Sequence, residues 1–135
     1  MNLAPRRHFA LLLQATVVWA VFWLAGLPDY YRQYSDRTLG VLCTLLSVVF
    51  CLYALYVLLP RKPASRMPLA VWMSFYYSVP FAIYDGLYCG LYLGYGAAYL
   101  GVFWYLTVFY VSVWPTFLLT AWLLNRQRQG SPTAG

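Results

Sequence analysis

The stretch Pro80–Gly96 reads PFAIYDGLYCGLYLGYG. It holds Asp85, the only acid in the second half of the chain, inside an apolar run. Three glycines (Gly86, Gly90, Gly94) and three tyrosines (Tyr84, Tyr88, Tyr92) flank that carboxylate, each set at four-residue spacing. From Leu69 to Leu124 the chain runs 56 residues with Asp85 as its single charge. About 20 apolar residues cross a bilayer core, so this length is too great for one crossing and suits two. Gly94-Tyr95-Gly96 is the natural turn, because glycine punctuates helical pattern.

Outward from there, composition agrees. Of 135 residues, 63% are hydrophobic, 21% aromatic and only 9% charged, against about 25% charged in a soluble domain. The mean hydropathy is +0.62. Phe9–Leu27 is a 19-residue uncharged run after Arg6, Arg7 and His8, longer than the ~7–15 residues of a signal-peptide core, and reads as an uncleaved first span. Pro28 ends it, and the tyrosine-rich segment from Asp29 to Arg37 reads as an interfacial loop. The expected fold is therefore an all-α integral membrane protein, an antiparallel up-down bundle of four transmembrane helices in one domain, residues 1–128. The spans fall at about 9–27, 39–59, 69–93 and 98–124, and 129–135 form a disordered tail.

Charge sets the orientation. Arg6, Arg7, Arg61, Lys62, Arg66, Arg126 and Arg128 fall on one side of these spans, and only Arg32 and Arg37 on the other. Cations mark the cytoplasmic loops, which places both termini in the cytoplasm of a bacterial-type inner membrane. The net charge of +6 is scattered in short breaks between apolar runs. It makes no contiguous basic face, so nucleic acid is not an expected partner. The bilayer is, together with a homo-oligomer or a larger membrane complex.

Lipid does not drive helices together by the hydrophobic effect, so small residues that let backbones approach mark the contacts. Gly86, Gly90 and Gly94 extend a small ridge from Ala82, while Cys43, Ser47 and Cys51 form a similar strip on the second helix. Counted from the outer surface, Cys43 matches the depth of Gly90, and Ser47 that of Gly86. The expectation is that these two strips dock, leaving the tyrosines to face the fourth helix or lipid.

Asp85 is the candidate site. An acid inside a span is costly, roughly 2.5–3.5 kcal/mol on insertion scales, and is by default a functional hypothesis. Either it keeps its proton, or it is ionised and paired with a cation or several hydroxyl donors. Arg32, Tyr88, Tyr105 and Tyr110 are the candidate partners, with Tyr84 beside it. The bland alternative is a buried aspartate that locks helices together.

Other chemistries are poorly served. The chain has one histidine, His8, and no glutamate. That leaves no bis-histidine haem site, no HExxH, no phosphate-binding GxxxxGK[ST] loop and no carboxylate pair. Three cysteines, none in a CxxC, read as packing residues. Neither metal nor cofactor is expected. The plan of four helices with one membrane carboxylate resembles the small multidrug transporters. Their acid lies in the first helix, where this chain offers only Gln14 and Thr16, so no residue roles carry over. The leading expectation is a non-enzymatic multi-pass protein that binds a lipid-like ligand or a partner helix at an intramembrane Asp/Tyr site. The alternatives are a small proton-coupled transporter using Asp85 and a membrane enzyme acting on lipids or isoprenoids.

Overall fold

The computed structural model describes residues 4–25 and 33–129. Arg32 and the tail beyond residue 129 lie outside the described residues. Five α-helices appear and, among the described residues, no strand. They are α1 (Pro5–Ala25), α2 (Asp36–Leu58), α3 (Pro63–Asp85), the short α4 (Tyr99–Val102) and α5 (Trp104–Gln129). Three of them, α1, α2 and α5, are long and apolar enough to cross a membrane. This is the signature of a membrane protein.

Local chemistry explains the boundaries. Pro5 and Pro63 open α1 and α3, where a missing amide hydrogen costs nothing. Ser35 caps α2, its side chain accepting from the Thr38 amide, with Asp36 in the first turn against the positive helix end. Beyond Asp85, α3 widens into a π-helical stretch, Gly86–Tyr92. The chain then turns through Gly94 (φ 79°) and Gly96 (φ 56°). Only glycine takes this left-handed backbone without a steric penalty, which is why the turn falls there. Phe103 (φ −105°, ψ 55°) separates α4 from α5. Thr107 bridges that break by donating its hydroxyl to the Leu100 carbonyl at 2.7 Å.

α3 is the hub. It packs against α5, α1 and, more lightly, α2, while α2 packs chiefly on α5. This central place accounts for its composition: Ser74, Ser78 and Asp85 are buried in protein, and their polar atoms meet protein partners. The α1–α3 register is set by two hydrogen bonds with the same offset. His8 Nδ1 meets the Tyr76 hydroxyl at 3.1 Å and Thr16 Oγ1 meets that of Tyr84 at 2.8 Å, both pairs 68 residues apart. A constant offset means that the two helices run parallel. The core between α2, α3 and α5 is built on Phe50, Tyr77, Phe81 and Phe117, with edge-on and tilted rings.

Arg66, counted above among the loop cations, is helical and 1% exposed. Its Nε donates to Leu58 O at 3.1 Å, Nη2 to Leu59 O at 3.0 Å, and Nη1 to Leu124 O at 3.0 Å and to Asn125 Oδ1 at 3.3 Å. The planar guanidinium thus pins the C-terminal end of α2 and the last turns of α5 to the start of α3. A cation suits the α2 site twice over, since the carbonyls left unpaired at a helix C-terminus carry partial negative charge.

Candidate functional site

The π-helical stretch begins at the residue after Asp85. Such segments are rare and often mark functional sites, because the wider turn re-aims the side chains that follow. Asp85 is 4% exposed. One carboxylate oxygen accepts from the indole N–H of Trp19 on α1 at 2.8 Å. The other accepts from the hydroxyl of Tyr110 on α5. Three helices are therefore joined through a single acid. Among the described residues, no group of three or more His, Cys, Asp and Glu comes together that could hold a metal ion.

Around it lies a cavity of ≈ 380 Å³, walled by α1 (Trp19, Phe22, Trp23), α2 (Leu39 to Val49), α3 (Phe81, Asp85) and α5 (Tyr105 to Ser112). In the opposite direction α1 and α2 come together where Gln14 donates to the Tyr53 hydroxyl, which also accepts from Tyr77 at 3.4 Å. The groove is thus apolar along its walls and carries a carboxylate at its floor. Among the described residues, no basic residue lines it. Its volume lies within the ~300–1,000 Å³ of small-molecule sites.

No family model, curated protein or solved structure matches this chain. The site must be read from its own residues.

The expected site residues are distributed as follows. Tyr110 reaches Asp85. Tyr84 binds Thr16 instead, with its ring 4.9 Å from that of Trp19. Tyr88 stands edge-on to Trp23 at 5.7 Å and stacks on Tyr92 at 5.5 Å. Tyr105 is buried against Phe103 and lines the groove. Tyr84 and Tyr88 accordingly face α1, while Tyr92 is exposed at the outer surface of the bundle. The α-helical angle per residue does not hold through the π-helical winding, so a face drawn from it drifts.

The glycine ridge also takes a different neighbour. A Cβ at Gly86 would lie 3.4 Å from the Tyr99 hydroxyl, and one at Gly90 3.3 Å from Gly96 O and 3.8 Å from the Tyr99 ring. The ridge houses the Tyr99 ring, whose hydroxyl donates to Ala82 O at 3.0 Å. Gly94 belongs to the turn. Cys43 and Ser47 line the groove together with Asp85, whereas the glycines do not. Ser47 satisfies its hydroxyl on its own helix, at Cys43 O, and Cys51 is exposed.

Trp19 and Trp23 carry the site's indole donors, and neither stands out in the sequence as a partner of Asp85. The available signal was the parallel course of the first and third spans, which sets Trp19 near the depth of Asp85.

Proposed function

We propose that this chain is a four-span inner-membrane protein, with both termini cytoplasmic, that holds a lipid-like ligand in the groove over Asp85. The observation that carries this reading is the groove itself: an apolar cavity between α1 and α2 with one hydrogen-bonded carboxylate in its floor. Apolar walls with a few placed polar groups are the usual make-up of a small-molecule site. A purely structural aspartate needs no cavity beside it.

The fourth span is α3. Its 23 helical residues, continued by the π-helical stretch, are long enough to cross. Its polar groups face protein, which is how a span of modest hydropathy is tolerated. The charge asymmetry of the flanks supports the orientation.

Native mass spectrometry of the protein released from mild detergent tests the binding reading. Wild type is expected to retain an amphiphile adduct, and Ser47→Phe, which fills the groove from α2, to lose it while keeping its helical circular dichroism. A wild type without adduct, or an adduct unaffected by Ser47→Phe, would sink the proposal.

A further inference from the structure

The groove offers two unsatisfied polar capacities, and together they describe a head group. The first belongs to Asp85. A carboxylate presents about four lone-pair sites, and among the described residues two donors, Trp19 and Tyr110, reach it. Both are neutral. Among the described residues, no basic residue lines the groove to balance a negative charge there, and an unbalanced charge in a low-dielectric site is expensive.

The second belongs to Trp23. Its indole nitrogen is buried and, among the described residues, has no hydrogen-bond partner, and its side chain lines the same groove as Asp85. Stranding a buried donor costs about 1–3 kcal/mol, so an orphan of this kind calls for an explanation. Trp23 stands beside Trp19, the rings stacked at 6.0 Å, and Trp19 itself binds Asp85. The orphan donor thus stands one turn along α1 from the indole that binds the under-used acceptor.

We propose that the occupant is a single-chain amphiphile whose head carries an ammonium next to a hydroxyl, the ammonium seated on Asp85 and the hydroxyl oxygen accepting from Trp23. This deepens the proposed function and rests on it. Fatty acids are disfavoured, since a second carboxylate would meet Asp85 with no cation among the described lining residues. A neutral alcohol would satisfy Trp23 but bring no cation to an ionised Asp85. The apolar walls, among them Phe22, Leu42 and Leu46, take the alkyl chain.

The test uses the full chain in phosphatidylcholine nanodiscs with four probes of equal chain length: sphinganine, octadecylamine, octadecanediol and stearate. Binding is followed by competition and read by native mass spectrometry. Sphinganine is expected to bind about tenfold or more tighter than the diol, as a charge-assisted bond in a dry site requires, with octadecylamine between them and stearate weakest. Asp85→Asn should erase the preference for amines, and Trp23→Phe the advantage of sphinganine over octadecylamine. The ranking on wild type decides the matter even where a variant fails to fold. Equal binding of diol and sphinganine, or a preference for stearate, overturns this inference and leaves the groove as a lipid site. Binding of none of the four overturns both.

Discussion

The Tyr110 hydroxyl on α5 donates to the carboxylate of Asp85, 25 residues earlier on α3. Because Trp19 donates to the other oxygen from α1, this one bond belongs to a tie across three helices. Tyr110→Phe keeps the ring packing and removes the donor. Hydrogen bonds between membrane helices average about 0.6 kcal/mol and reach about 1.7, while those to charged groups run about 1.5–3 kcal/mol. The expected loss is near the upper membrane value. A double-mutant cycle with Asp85→Asn, read by unfolding in mixed micelles, should return most of that loss as coupling. Independent, additive effects would show that the bond contributes nothing.

Arg66 should be harder to replace than a loop cation. Arg66→Met strands the Leu59 carbonyl, leaves Leu58 O with only the Arg61 amide, and loosens α5 at Leu124, at a cost of roughly 1–3 kcal/mol once water reaches part of the site. Arg66→Lys keeps the charge but not the planar fork. It should recover less than half of the loss in a thermal melt, whereas complete recovery would mean that charge alone matters.

Glycine-to-alanine changes should split by position. At Gly40, inside α2, an added methyl meets nothing within 4 Å. Gly40→Ala should therefore stabilise by about 0.5–1 kcal/mol through reduced backbone entropy. At Gly90 the methyl presses a backbone carbonyl at 3.3 Å. At Gly94 the backbone is left-handed, which costs an alanine roughly 1–2 kcal/mol. Gly90→Ala and Gly94→Ala should both lower the melting temperature. A uniform response at all three would contradict the packing of the turn on Tyr99.

The parallel register of α1 and α3 can be read by crosslinking in a background without Cys43, Cys51 and Cys89. Cysteine pairs at 8/76 and at 16/84 should be captured by a short bifunctional maleimide, since both side-chain pairs are in hydrogen-bond contact. A pair at 47/86 should react poorly, because Gly86 faces Tyr99. Efficient capture at 47/86 with none at 16/84 would restore direct docking of the two small-residue strips.

Much of the architecture was legible without coordinates. The long uncharged runs place the apolar helices, Gly94 and Gly96 mark the turn, and the isolated Asp85 marks the groove. Tyr110 was legible too, as one of a few hydroxyls of suitable depth. Trp19, Trp23 and the role of Arg66 were not. An indole is ambiguous in a span, since aromatic residues also serve as lipid-facing and interfacial groups. Arg66 sits among prolines and cations that look like a loop, and its burial depends on carbonyls supplied by two distant segments.

The sequence by itself determined where the long apolar runs lie, where the chain reverses, and that a single acid lies within the apolar region. Those are local properties: run length, cap chemistry and the left-handed backbone that glycine permits. The early start of α3 at Pro63 and the break at Phe103 came only from the structure. The tertiary structure decided which helices are neighbours, that the glycine ridge receives Tyr99, and that α1 and α2 stand apart around Asp85. In water, apolar periodicity would have announced these faces. Lipid tails are as apolar as leucine, so a buried face and a lipid-facing one can share the same composition. Only the fit of side chains between helices distinguishes them.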